Sequence, residues 1–578
     1  MKNAMNRKAL LKLLSPAVAV VMIALTCHPL NAALPDSIAP VKNIIVMIPD
    51  GTSLSTLSLA RWYQRYLAPS QQHLAIDELM CGSVITHSSD APIGDSAPTT
   101  SCYMSGVVSQ TGFISTYPVA TDHDIVQVDE TMAYRPAVTL AEAGKWLLNK
   151  RVGLVVTCEF PHATPADCVA HTYSRKRYDV IAPQMASLPV DVLIGGGLSL
   201  MDGTMRSLLS SQQIDLIEDD LPAMRAYRGK RLWSLYSPMG MPYDLDRDTT
   251  AVPSLAEMTA KALACLSEEN DKGFFLMVEG SKVDWAAHAN DPVGIATEML
   301  AFDRAVRTAI EFAKSNGETM VLVVPDHGNS GISIGEATLR HYDKAKAEEL
   351  FGLLTSIRLT ASGMAQQLNA ADSDRAEELF RTFAGITLNE DDLHLLYTAH
   401  DYRHSPLDSL AVTSSMYGTA LSDAVAAIYR SRMHFGFTTH GHTGEEVFLG
   451  IYLPYGERPQ GVLLNTEVNS YLCGLWGLQG RLNELTHTAY APFEEVFPDQ
   501  KLRIVGEQKH PDYLTFTLSG KREVRIYPYT RRMELGSQKD FKRGKQKVII
   551  QPNSAIWVDK NSTLYLNKEV AQIIEKSR

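Results

Sequence analysis

The chain has 578 residues, 45% of them apolar and 21% charged, which excludes a mainly disordered protein and leaves room for a large core or two to three domains. A formal net charge of −11 argues against a protein that holds nucleic acid by its whole surface.

Residues 1–33 read as a secretory signal peptide: MKNAMNRKALLK is basic, LLSPAVAVVMIALT is apolar, and small residues near Ala32 and Ala33 suit cleavage. Export follows, to the periplasm if the source is Gram-negative. Cys27 at the end of the apolar run leaves a lipid-anchored alternative, although Ala24, Leu25 and Thr26 make a poor lipobox. No later stretch has the roughly 18 consecutive apolar residues that a transmembrane helix needs. Beyond the leader lie Cys81, Cys102, Cys158, Cys168, Cys265 and Cys473, an even number with no CxxC spacing. In an oxidising compartment Cys158 and Cys168 are the expected local pair.

Short apolar runs then recur, with helical segments between them: NIIVMIP at 43–49, VGLVVT at 152–157, VDVLIGG at 190–196, FFLMVEG at 274–280, MVLVVPD at 320–326 and VFLGIYLP at 447–454. Strands apolar on both faces and separated by helices predict an α/β fold with a central, mainly parallel sheet covered on both sides. Helices are predicted over 254–270 and 292–317, the second closed by Gly317. Residues 34–500 are expected to form the main body, with 331–437 a mostly helical insertion. The stretch 501–578 alternates like strands and carries 17 Lys and Arg against 8 Asp and Glu. This basic, β-rich extension either docks on the acidic body or forms a nucleic-acid- or surface-binding patch.

In open α/β sheets ligands bind beyond the carboxyl ends of the strands, so the residue at which each apolar run stops is informative. The first run stops at Asp50, the second leads to Cys158, Glu159, His162 and Thr164, the fourth holds Glu279, and the fifth ends in Asp326-His327. Asp284 and His288 follow at i,i+4 spacing, which points two ligands the same way on a helical turn. His442 precedes the last strand. Carboxylates and imidazoles gathered at one sheet edge repel and desolvate one another unless a cation lies between them. Mixed His and Asp ligation suits zinc, and an Asp, Thr and Glu oxygen set suits magnesium. In GDSAPTTSCYMSG at 94–106, Ser96 is either part of a helix start or a nucleophile.

Six motifs, in order, resemble those of the alkaline phosphatase family from about Lys42 to Leu449: KNIIVMIPDG, GDSAPTTSCYMSG, HATPADCVAHTYSR, VEGSKVDWAAH, PDHG and GHTGEE. The resemblance implies an exported phosphomonoesterase that forms a phosphoserine at Ser96, with Arg175 clamping the phosphate. It implies one zinc on Asp284, His288 and His442, and a second on Asp326, His327 and Asp50, completed by Ser96. It also implies a magnesium on Asp50, Thr164 and Glu279. His162 and Trp285 stand where other members carry Asp and Lys, or His, close to the magnesium and the phosphate, so metal preference at the third site cannot be inherited from any one relative. A homodimer is the family expectation. Zinc and a helix N-terminus together would stabilise the Ser96 alkoxide for attack on phosphorus. The superfamily's phosphodiesterases and nucleotide pyrophosphatases are an alternative, disfavoured by Thr164, Glu279 and Arg175. DSAPTTS also lacks the arginine of a sulfatase motif. The alternative from another class is a metal- or phosphate-binding protein that has lost catalysis.

Overall fold

The computed structural model describes residues 34–35, 38–188, 190–370, 375–403, 419–518 and 521–577, with the side chains of 400–403 excepted. The expected leader and Cys27 lie outside the described residues. Ten strands build the main sheet: β1 (Asn43–Pro49), β2 (Met80–Ile85), β3 (Arg151–Glu159), β4 (Val192–Gly196), β5 (Asp215–Glu218), β6 (Leu232–Leu235), β7 (Phe274–Gly280), β8 (Thr319–Val323), β9 (Val447–Tyr452) and β10 (Gly461–Leu464). Their spatial order is β10-β2-β9-β8-β1-β7-β3-β4-β6-β5. All neighbours pair in parallel except β9, which runs against both β2 and β8.

The central position of β1 follows from its composition. NIIVMIP is buried at every residue because helices cover both faces, and full burial of each such side chain stabilises the fold by roughly 1.5–3 kcal/mol. Its alternate residues feed two separate cores: Ile45 and Met47 pack into one, Ile44, Val46 and Ile48 into the other. The six predicted apolar runs all lie in this sheet. The strands not predicted, β2, β5, β6 and β10, have four to six residues and stand toward the two ends of the sheet, where shorter segments suffice.

The helix predicted at 254–270 runs Leu255–Ser267, and Ser254 caps it by accepting from the Glu257 amide. The helix predicted at 292–317 runs Pro292–Asn316, with Pro at its start, Asp291 as N-cap and Gly317 left-handed at φ 73° as its stop. Within the expected insertion, described helices cover Ala347–Ser356, Ala361–Ala370, Ala376–Ala384, Glu390–Arg403 and Ala420–Arg430.

After the body, β11 (Arg503–Gly506), β12 (Pro511–Leu518), β13 (Arg522–Ile526), β14 (Arg532–Gly536) and β15 (Lys547–Ile550) form an antiparallel five-stranded sheet. A three-stranded sheet of Ala491–Pro492, Ile556–Val558 and Thr563–Leu566 joins it to a third core around Phe516, Leu535 and Trp557, to which Val180 of the body contributes.

The expected Cys158–Cys168 disulfide is corrected: all six cysteines among the described residues are free thiols. Cys158 ends β3 with Sγ 3.4 Å from Glu279 Oε2, whereas Cys168 turns its Sγ to the Thr164 carbonyl at 3.8 Å. The two side chains are buried against different neighbours. Among the described residues, no helix is long and apolar enough to cross a membrane.

Candidate active site

The carboxyl ends of β1, β3, β7 and β8 lie side by side and bring together residues that are far apart in sequence. Asp50 directly follows β1 and Glu279 is the penultimate residue of β7, each with no exposed surface. Asp326 and His327 follow β8 and are equally buried. Short helix α1 (Lys282–His288) comes next after β7, and its i,i+4 pair places His288 Nε2 3.4 Å from Asp284 Oδ2. A two-residue ribbon pairs His442 with Asn329, carrying His442 to the same place from the far side of the insertion.

Three imidazoles have their orientation fixed from behind. His288 Nδ1 lies 2.6 Å from the His440 carbonyl, His442 Nδ1 2.8 Å from the Gly94 carbonyl, and His327 Nδ1 3.1 Å from the Gly328 carbonyl. A carbonyl can only accept, so each Nδ1 carries the proton and each Nε2 presents its lone pair to the site. His288 Nε2 and His442 Nε2 then face each other at 3.2 Å, with Asp284 Oδ1 3.8 Å from the latter. His327 Nε2 lies 3.3 Å from Asp326 Oδ2 and 3.5 Å from Asp50 Oδ1.

These atoms fit a cation set. Both Asp50 oxygens, Asp326 Oδ2, Glu279 Oε1 and Thr164 Oγ1 are buried without a hydrogen-bond partner, which is costly for acceptors left alone. Three groups bring donor atoms within 4.8 Å of one another: Asp284, His288 and His442; Asp50, Asp284 and His327; and Cys158, His162 and Glu279. The first is the set expected for one zinc. In the second, Asp284 reaches Asp50 and His327 as well, so the two centres share a wall. The third brings Cys158 and His162 to Glu279.

Electrostatics tell the same story. Burial, reinforced by Asp326, Asp284 and Glu279, pushes Asp50 well above the carboxylate range. Burial and then Asp326 push Glu279 up to about 8. Asp284 goes the other way, to about 2, because His288, His442 and His327 outweigh its burial. His442 falls to about 4 through burial and the neighbouring His327. A bound cation would relieve the carboxylate repulsion and take the Nε2 atoms as ligands.

Ser96 is the first residue of helix α2 (Ser96–Ser105), every residue of which is buried, and its Oγ lies 3.2 Å from His327 Nε2. Asp95 occupies the N-cap position but makes no capping bond. Its carboxylate accepts from the Arg175 guanidinium and, at 3.2 Å, from the Gly112 amide. Burial opposes its charge, yet Arg175, His442 and His327 hold it below the usual range. The serine is therefore a helix-start residue set against the metal-type cluster, and the side chain that would cap the helix is engaged elsewhere.

Arg175 also donates Nη2 to His162 Nε2 at 3.0 Å, so His162 carries its proton on Nδ1. Burial, then the adjacent Arg175, lowers His162 to about 4 and keeps it neutral. Trp285 meets His162 edge-on, ring centres 6.2 Å apart, and the Lys282 ammonium lies 3.7 Å over the indole. Thr164 sits in the four-residue helix Ala163–Ala166 behind His162, fully buried. A cavity of about 860 Å³, lined by Asp95, Glu159, His162, Arg175, His288 and His442 among others, opens this cluster to solvent.

Two features tighten the floor. Gly51 is left-handed at φ 61°, and a Cβ there would fall 2.3 Å from Asp284 Oδ1. Asn329 donates to the same Asp284 oxygen at 2.6 Å. Sequence reasoning missed Asn329, Lys282, His440 and the Asp95–Arg175 pair. Only Asp95 had a signal, its place beside Ser96; the others are recognised by what they touch in space.

A family profile described as alkaline phosphatase matches residues 41–476. Alkaline phosphatase 3 of Bacillus subtilis is 31% identical over 443 residues, covering 74% of this chain and 87% of the relative. The repressible alkaline phosphatase of Saccharomyces cerevisiae is 30% identical over 495 residues, covering 77% and 82%. A cold-active alkaline phosphatase from Shewanella sp. superposes with TM-score 0.63 at 25% identity, covering 75% of this chain and 99% of that one. The Thermus thermophilus alkaline phosphatase shares the fold at TM-score 0.64 and 23% identity, covering 76% and 93%.

Proposed function

Because the chain belongs to the alkaline phosphatase family, and so is a phosphomonoesterase of a metal-dependent family, we propose that it works through a phosphoserine at Ser96, with two zinc ions and one magnesium. Asp284, His288 and His442 hold one zinc; Asp50, Asp326 and His327 hold the other beside Ser96; Asp50, Thr164 and Glu279 take the magnesium. Bound there, the metals supply Lewis-acid activation of the serine hydroxyl and of water and neutralise charge on the phosphoryl oxygens. The chain's own residues do the rest. The Nδ1–carbonyl bonds behind the three histidines hold every Nε2 at a fixed angle. Arg175 forks two non-bridging phosphoryl oxygens and releases Asp95 as it does so. The start of α2 offers its first amides to the anion, because Asp95 does not cap them. His162, neutral and fastened to Arg175, keeps that guanidinium facing the cavity.

The observation that carries this reading is Ser96 Oγ at 3.2 Å from His327 Nε2, at a helix start within the buried carboxylate and imidazole cluster. The basic, apolar and small-residue order of residues 1–33 supports export of the enzyme. The test compares hydrolysis of p-nitrophenyl phosphate and bis-p-nitrophenyl phosphate at alkaline pH, with zinc and magnesium supplied and with a chelator. A large monoester preference lost on chelation is expected. A diester preference would mean that Arg175 or the magnesium set is misassigned, and no metal-dependent turnover would favour a binding protein.

A further inference from the structure

Arg175 lies in the segment Tyr173–Arg177, and both ends of that segment are fastened to the C-terminal sheets, outside the residues matched by the family profile. Asp559 sits in the turn after Ile556–Val558. Its Oδ1 accepts from the Tyr173 hydroxyl at 2.8 Å and from Arg177 Nη1 at 2.9 Å. Arg177 Nη1 also donates to the Tyr173 hydroxyl at 3.0 Å, closing a three-membered ring of charge-assisted bonds. Its Nη2 donates to the Lys509 carbonyl at 3.1 Å, and the guanidinium lies 5.1 Å over the Tyr173 ring. From the opposite side the Arg175 amide donates to the Gly112 carbonyl at 2.7 Å. The Arg175 backbone is thus held between the body and the C-terminal extension.

We propose that Asp559 is a positioning residue for phosphate binding: by fixing Tyr173 and Arg177 on either side of Arg175, the C-terminal extension sets the guanidinium in the cavity. This rests on the reading of Arg175 as the phosphate clamp. Lys560 lies 5.6 Å over the Tyr173 ring, and Asp179 adds a further negative charge near Arg177. Asp559 is the carboxylate that bonds Arg177 directly, so its loss removes that ion pair beside the Arg175 segment. A displacement of the clamp of about 1 Å is enough to cost an order of magnitude or more in a positioned reaction.

The experiment measures KM for p-nitrophenyl phosphate, kcat, the inhibition constant of inorganic phosphate and the melting temperature for the full chain and for Asp559→Ala, Asp559→Asn, Arg175→Ala and Arg175→Ala/Asp559→Ala. Asp559→Ala is expected to raise KM and the phosphate inhibition constant together by about 10-fold while kcat changes less. Asp559→Asn keeps an acceptor and the fold, and is expected to lie between the two. In the Arg175→Ala background, adding Asp559→Ala should produce no further rise. A lower melting temperature with an unchanged phosphate constant in both Asp559 variants would overturn the proposal, since the contact would then be purely structural. An equal rise in the Arg175→Ala background would overturn it too. If Arg175→Ala itself leaves the phosphate constant unchanged, the clamp reading fails, a result distinct from the case in which Arg175→Ala is severe and Asp559→Ala silent.

Discussion

At the scale of single residues, Ser96 is defined less by its own chemistry than by what holds the groups around it. His327 faces its hydroxyl because the Gly328 carbonyl binds the other ring nitrogen, and Asp95 leaves the helix start open because Arg175 occupies it. Ser96→Ala is therefore expected to lower kcat by about 10³-fold or more while inorganic phosphate binds within about 3-fold of its normal affinity, measured by turnover and by phosphate inhibition or calorimetry. Among the candidate residues, Asp50, Glu279, Asp326 and His327 drew notice in the sequence because each stands at the end of an apolar run, whereas Arg175 was pointed to only by the family resemblance. The bonds that orient the site residues were not legible there. Gly94, Gly328 and His440 contribute backbone carbonyls, which leave no mark on residue type. Cys158 was read as half of a disulfide because sequence distance favours Cys168, whereas in space Glu279 is the group beside it.

At the scale of elements, the loops after β1, β7 and β8 carry the candidate metal ligands and the helix after α1 ties them to the insertion. The N-cap of that helix, α3 (Pro292–Asn316), is Asp291, which accepts from the Val293 amide at 3.0 Å and, with its other oxygen, from the Ala361 amide at 2.8 Å. Burial raises this carboxyl to about 6, against the lowering effect of those backbone bonds. A folded-state value above the unfolded one means that the native protein binds the extra proton, so the stabilisation is full below about pH 3.8 and is lost as pH rises through about 6. Between pH 4 and 7, wild type should lose up to about 3 kcal/mol relative to Asp291→Asn, by urea unfolding of the metal-free forms; parallel pH profiles would contradict it. Long, fully apolar strands and the capped helices were legible because one local rule governs each. The short strands β5, β6 and β10 were not, since four residues carry too little periodicity to separate strand from loop.

At the scale of the whole molecule, a sheet with two cores carries a site whose residues run from Asp50 to His442, and the last stretch of chain adds a third core behind the Arg175 segment. Four buried carboxylates, Asp50, Glu279, Asp284 and Asp326, converge there. Chelation is expected to lower the melting temperature by about 5 °C or more, and zinc with magnesium to restore it, by differential scanning calorimetry. An unchanged melting temperature would show that these carboxylates are compensated within the protein itself. The β-rich character of the basic C-terminal stretch was legible, and Asp559–Arg177 shows why charge totals mislead in detail: here that stretch supplies the anion and Arg177 the cation.

The free thiols carry a consequence of their own. Five of the six are buried, and Cys81 is partly so. Among the described residues no disulfide links these cysteines, so dithiothreitol is expected to leave the unfolding curve where it is.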